Sequence, residues 1–150
     1  MRYKYNPSTS SCHAFTLVEV IIVMVIIGVI AGLALPRYTR SVTIAKERRA
    51  LNSLYMIHAA ELTYKKHNVV YWPPGGPWQD LAAVNSNLGL NILADGDTYR
   101  CRFRPSPGSG YTCEATFDNG AYTLELDEDP ISEGVNPCCS AGACPLTTAC

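Results

Sequence analysis

Apolar and polar residues divide this chain into three regimes. From Phe15 to Leu35 the side chains are almost all apolar for 21 residues, and Glu19 is the sole charge. As a helix that run is roughly 31 Å long, enough to cross a hydrocarbon core. A carboxylate inside such a helix costs about 2.5–3.5 kcal/mol on insertion scales, so Glu19 implies a partner or a function. Gly28 and Gly32 stand at the spacing that lets membrane helices approach closely. Pro36 then removes a backbone donor, which predicts a kink or a locally melted turn.

Beyond Pro36 the period becomes helical and amphipathic. Ile44, Leu51, Leu54, Tyr55, His58 and Leu62 recur at three- and four-residue steps and form one stripe. Lys46, Glu47, Arg48, Arg49, Lys65 and Lys66 lie mostly off it. Asn68 is placed to end the helix in a left-handed conformation. Phe15 to His67 thus reads as one very long helix, and its soluble half needs a sheet to lie on.

The third regime alternates with a period of two. Asp118-Asn119-Gly120-Ala121 carries the Asn-Gly signal of a tight hairpin, which pairs Phe117 with Tyr122, Ala115 with Leu124 and Cys113 with Leu126. A second hairpin closes through Pro105 to Ser109. Pairing Arg104 with Gly110 there sets Phe103 opposite Tyr111 and Cys101 opposite Cys113. Tyr99, Cys101, Phe103, Tyr111, Cys113, Ala115, Phe117, Tyr122, Leu124 and Leu126 then share one face. Arg100, Arg102, Arg104, Thr112, Glu114, Thr116, Thr123 and Glu125 share the other, with Arg100 opposite Glu114. One apolar and one polar face suit a sheet backed by a single helix.

The connection from Val69 to Asp95 contains Trp72-Pro73-Pro74-Gly75-Gly76-Pro77-Trp78, which excludes a helix. It is expected to wrap the domain surface, with a short helical turn from Gln79 to Val84. The two Trp residues read as buried anchors of this connection, the alternative being an exposed contact patch. The predicted organisation is a leader over 1–14, a membrane segment over 15–35, its amphipathic continuation over 36–67 and a connection over 68–96. A sheet over 97–126 and a Cys-rich loop over 127–150 follow. The fold class is α+β: a long N-terminal helix on a three- to four-stranded antiparallel sheet, with a disulfide-pinned tail.

Composition sharpens this picture. The 150 residues carry a formal net charge of −1, too near neutral to make nucleic acid the main partner. Seven cysteines in so short a chain indicate an oxidising compartment. Met1 to Ala14 is polar and basic, through Arg2 and Lys4. An ordinary secretory signal places its apolar stretch before the cut, whereas here it follows the small residue Ala14. Cys12 stands ahead of the apolar run, which disfavours a lipoprotein. A polar tail on a plain membrane anchor is the simplest alternative.

Ala14-Phe15-Thr16-Leu17-Val18-Glu19, with the apolar helix it opens and Leu35-Pro36-Arg37-Tyr38 at its end, resembles the type IV prepilin signature. The resemblance implies a pilin fold and cleavage between Ala14 and Phe15 by a membrane-embedded prepilin peptidase. It also implies methylation of the new amino terminus on Phe15, storage in the inner membrane and extraction into an extracellular filament on a bacterial surface. Most members carry Gly before the cut, so Ala14 is a departure expected to slow processing. Removing the leader takes Cys12 away and leaves six cysteines, an even number.

Opposed strand positions bring Cys101 and Cys113 within disulfide reach, reduced core cysteines being the alternative. Adjacent Cys138 and Cys139 would strain a ring between themselves, so each is expected to pair with Cys144 or Cys150. Both connectivities are open. More basic residues flank the C-terminal end of the span, which would put that end in the cytoplasm. The six cysteines argue for the opposite orientation.

No constellation for catalysis stands out. His58 and His67 are nine residues apart on a helix and face opposite ways. No nucleophile elbow or phosphate loop is present. The four tail cysteines fit no familiar zinc knuckle, and Glu125, Asp127, Glu128, Asp129 and Glu133 lack the Gly-centred loop of a calcium site. Arg37, Arg40, Lys46, Arg48 and Arg49 are available to lipid headgroups, to a neighbour's acids or to solvent. The reading is therefore non-enzymatic, with no cofactor or metal.

Cleavage would put an ammonium on Phe15 in apolar surroundings, with Glu19 as its counter-charge, each costly without the other. Pairing with the chain's own amine is physically open; the resemblance favours the amine of a neighbouring copy. The expected function is a structural subunit of a type IV pilus, with Phe15, Glu19 and Pro36 in assembly. Its partners would be copies of itself, the peptidase and methylase, the inner-membrane assembly machinery and the membrane. A pseudopilin of a type II secretion system is the alternative. A non-polymerising, membrane-anchored binding module, with Trp72 and Trp78 at its contact surface, is the rival from another class.

Overall fold

The computed structural model describes residues 16–104, 110–129 and 135–150. Ala14, Phe15, the 105–109 loop and Glu133 lie outside them. Helix α1 spans Leu17–Asn68, and the chain divides into two units, Met1–Thr39 and Arg40–Cys150. The backbone stays α-helical across Pro36 instead of melting there. A Pro ring costs an internal hydrogen bond but does not forbid helical dihedrals at its own position.

In the second unit α1 is followed by β1 (Gln79–Asp80), α2 (Leu81–Leu88), β2 (Thr98–Arg104), β3 (Gly110–Phe117), β4 (Tyr122–Asp127) and β5 (Cys138–Ala141). The five strands form one antiparallel sheet in the order β1-β2-β3-β4-β5. Its centre has the register that the alternation predicts: Cys101 opposes Cys113, Phe103 opposes Tyr111, Cys113 opposes Leu126 and Phe117 opposes Tyr122. The strands β1 and β5 extend the three- to four-stranded expectation to five. They are two and four residues long, too short to show a period of two.

The apolar face of β2–β4 packs with the C-terminal part of α1 into one core. Leu54, Ile57, Tyr99, Tyr111, Phe117, Leu124 and Leu126 are all buried there. Each such side chain contributes about 1.5–3 kcal/mol relative to exposure. The helix face that enters the core differs from the predicted stripe. Tyr55 and Leu62 are exposed, whereas Glu47, Ala50, Ser53 and Glu61 are buried beside Leu54, Ile57 and His58. A stripe traced through the apolar residues misplaces the seam here because two of its positions are carboxylates that bind distant backbone.

The connection is shorter in irregular structure than predicted. The side chain of Asp80 accepts the Ala83 N–H at 2.9 Å and starts α2. Gly89, at φ 65°, closes it in the left-handed region that glycine adopts without a Cβ clash. Asn68 remains helical, and Val69 takes the left-handed position at φ 68° instead. Trp72 is buried, and Trp78 is half-buried beneath the guanidinium groups of Arg100 and Arg102, each 4.5 Å from its ring. Trp72 is therefore an anchor of the connection, and no exposed patch joins it to Trp78.

Candidate functional site

Thr16 sets the start of α1. Its carbonyl accepts the Val20 N–H at 3.3 Å, and its hydroxyl accepts the Glu19 N–H at 3.2 Å. Thr-x-x-Glu is the spacing of a capping box, in which a hydroxyl and a carboxylate serve the unpaired N–H groups of the first turn. The positive end of the helix dipole also favours a carboxylate there. Glu19 thus has a local reason to occupy this position besides its charge. The Thr16-to-Glu19 spacing carried that signal in the sequence; reading Glu19 as an isolated charge passed over it.

The rest of this segment offers only apolar surface. Val20, Val23, Met24 and Ile27 line, with Glu19, a shallow groove of about 300 Å³ along the helix. Every large apolar side chain in the run is exposed, from Leu17 at 76% to Leu35 at 64%. Its most apolar 18-residue window has a mean hydropathy of 2.9 and is 0% buried. Contiguous apolar surface on this scale needs lipid or other apolar helices to cover it. Among the described residues no cation pairs with the Glu19 carboxylate.

The buried polar groups of the second unit are spread over the fold rather than gathered at one point. Glu47 accepts hydrogen bonds from the N–H groups of Leu146 and Thr147 and from the Thr147 hydroxyl. Arg49 holds Asp97 through Nε at 3.1 Å and Nη2 at 2.8 Å, and also contacts Asp95. Lys46 binds Asp118 at 2.6 Å. Lys46 and Arg49 of the predicted basic cluster are therefore engaged within the chain.

His58 shares a 2.6 Å hydrogen bond with the Tyr111 hydroxyl. Burial pushes the His58 imidazole down and the Tyr111 phenol up from their ordinary values, leaving both neutral near pH 7. This is a satisfied core pair. Asn136 ties up part of the acidic run, accepting the Asp127 N–H at 3.2 Å and donating to the Asp129 carbonyl at 2.6 Å. Among the described residues no three His, Cys, Asp or Glu side chains converge as metal ligands.

Six cysteines form three disulfides. Cys101 joins Cys113 across β2 and β3, inside the core. Cys138 joins Cys150 and Cys139 joins Cys144, so one of the two open tail connectivities is present. The tail also closes on itself through backbone, with the Cys139 N–H donating to the Thr148 carbonyl at 2.7 Å.

No curated protein and no solved structure matches the chain. Residues 9–35 match the family model for the prokaryotic N-terminal methylation motif, which spans the Ala14–Phe15 junction, Glu19 and the apolar run described above. That motif gives the chain the leader signature of type IV prepilins, and the long helix on an antiparallel sheet with a disulfide-linked tail is an α+β arrangement consistent with the pilin fold.

Proposed function

We propose that the chain is a structural subunit of a type IV pilus. Prepilin peptidase cuts it between Ala14 and Phe15, the new amine is methylated, and the subunit waits in the inner membrane. It then joins a helical surface filament through its N-terminal helix. The observation that carries this reading is the exposed apolar run from Leu17 to Leu35, with Glu19 in its first turn, lying within the methylation motif. An exposed apolar helix whose carboxylate has no cationic partner among the described residues is suited first to lipid and then to a bundle of like helices. In that bundle the Phe15 amine of an added copy neutralises Glu19 of its neighbour, removing two costly charges together and fixing the axial step.

The tail supports a pilus over a secretion piston. Two disulfides hold its last thirteen residues, and Glu47 ties Leu146 and Thr147 onto α1. Such cross-linking suits a body exposed to shear and proteolysis outside the cell.

Microscopy and N-terminal sequencing of sheared cell-surface material test the proposal. The expected result is long filaments built of this chain and beginning at methylated Phe15. Short periplasmic assemblies would transfer the chain to the pseudopilins. A mature protein that keeps residues 1–14 in a working filament would overturn the reading altogether.

A further inference from the structure

Two glutamates of α1 point into the body and are held very differently. Glu47 receives three donors, whereas Glu61 receives one. The Glu61 side chain is 0% exposed; its Oε2 accepts the Trp72 N–H at 2.9 Å, and its Oε1 has no hydrogen-bond partner. A buried carboxylate with a single donor is poorly compensated as an anion and well accommodated as a neutral acid.

The surroundings of Glu61 do little to change that. On α1 itself His58 is three residues before it, Tyr64 three after and Lys65 four after. From β3 comes Tyr111, whose phenol is raised by burial and then by the Glu61 charge, with smaller contributions from Tyr71, Asp127 and Glu128. From the connection come Tyr71 and Trp72. Burial pushes His58 down and Tyr111 up, keeping both neutral, and Asp127 and Glu128 are acids. The cation on the next turn of α1, Lys65, places its ammonium 4.2 Å over the Tyr71 ring. Burial accordingly pushes the Glu61 carboxyl up to about 8, against the opposing Trp72 hydrogen bond.

One wall of this pocket lies outside the helices and the sheet. Tyr71 and Trp72 belong to the first stretch of the connection, which leaves α1 at Val69. Val69 is a β-branched residue at φ 68°, a backbone conformation that strains any residue with a branched Cβ. Gly76, at φ 104°, offers a second pivot where no side chain opposes rotation. The helix wall is held by its own hydrogen bonds, so water reaches an ionised Glu61 most easily by displacing the connection.

We propose that Glu61 is a proton-dependent latch: as the neutral acid it holds Trp72 and the start of the connection against α1, and on ionisation it releases the stretch between Val69 and Gly76. The proton passes from the Glu61 carboxyl to solvent. The Trp72 N–H loses its acceptor, and the aromatic side chains of Tyr71 and Trp72 become accessible. Alkaline surroundings would thereby expose an apolar patch on the body, whatever assembly the N-terminal helix joins.

Amide hydrogen exchange on the full-length chain in detergent micelles tests this between pH 6.5 and 9.5. The protection factor of the Trp72 amide, corrected for intrinsic exchange, is expected to fall at least tenfold with a midpoint near 8. The Cys113 amide in the sheet should hold its protection throughout. Glu61→Gln, a neutral side chain of the same shape, should keep Trp72 protected across the whole range. Full protection of Trp72 to pH 9.5 in the unaltered chain would overturn the latch, and so would the same loss in Glu61→Gln.

Discussion

The Glu47 carboxylate and Thr147 lie a hundred residues apart in sequence and are joined by two hydrogen bonds, from the Thr147 N–H at 3.0 Å and its hydroxyl at 2.9 Å. The Leu146 N–H adds a third at 2.9 Å. Lys46, the residue before, holds Asp118 in the β3–β4 turn, and Arg49, two residues on, holds Asp97 before β2. A single turn of α1 thus fastens three separate loops.

Removing the Glu47 carboxylate leaves two part-buried N–H groups without their acceptor. Each orphan donor costs about 1–3 kcal/mol, so Glu47→Ala is expected to lower stability by about 3 kcal/mol or more. Glu47→Gln keeps one acceptor oxygen and should lose about half as much. Urea unfolding of the two variants beside the parent measures this. An alanine variant within experimental error of the parent would mean that water replaces the carboxylate freely.

That contact also marks how far the sequence could be read. The alternation in Tyr99–Arg104 and Tyr111–Phe117, with Asn119-Gly120, was enough to place Arg100 opposite Glu114 and Cys101 opposite Cys113. Those rules are local, because a turn fixes register and a pleat fixes faces. The helix seam was not legible in the same way. Glu47 and Glu61 count as polar in any stripe, and the groups that satisfy them, Thr147 and Trp72, are set by tertiary folding. The choice of Cys138–Cys150 with Cys139–Cys144 rests likewise on the tail's path. At the start of α1 the charge on Glu19 is plain in the sequence, whereas its place three residues after the Thr16 hydroxyl is the less obvious signal.

Glu61 should give the body an inverted pH response. Burial first, offset in part by the Trp72 hydrogen bond, raises its folded-state pKa from the ordinary 4.5 to about 8. The folded chain then binds this proton more tightly than the unfolded chain does. Between the two values stability falls as pH rises, by up to about 1.4 kcal/mol per pH unit; below the lower and above the upper it is flat. Glu61→Gln abolishes the slope. The variant's advantage in unfolding free energy should therefore grow from pH 5 to pH 8 and then level. A difference that stays constant with pH would show that Glu61 is ionised throughout.

The three disulfides should open in order of access. Cys101 and Cys113 are 0% exposed, whereas Cys138 is half-buried and Cys150 is exposed. Stepwise reduction with alkylation mapping is expected to label Cys138 and Cys150 first, then Cys144 with its buried partner Cys139, before Cys101 or Cys113. Cys138 and Cys150 are 12 positions apart in sequence. Closing a loop of that size stabilises by about 3 kcal/mol in the chain-entropy account, so the paired Cys138→Ser, Cys150→Ser variant should lose about that much. Earlier labelling of Cys101 would place its bond outside the core.

Glu19 has two physical roles that mutation can separate. It occupies the third position after a Thr16 cap, and it presents a carboxylate among exposed apolar side chains. Glu19→Ala should insert in the membrane and be cut before Phe15, yet yield filaments reduced by roughly tenfold or more, since an unpaired buried ammonium costs several kcal/mol. Glu19→Gln keeps the side chain that a capping box accepts and removes only the charge. Thr16→Val does the reverse, costing the helix start about 1 kcal/mol and leaving the carboxylate in place. If charge neutralisation drives assembly, Glu19→Gln should fail like Glu19→Ala while Thr16→Val still forms filaments. The opposite ranking, read from sheared filament mass at equal processing, would make Glu19 a helix-starting residue and remove the electrostatic step from the assembly mechanism.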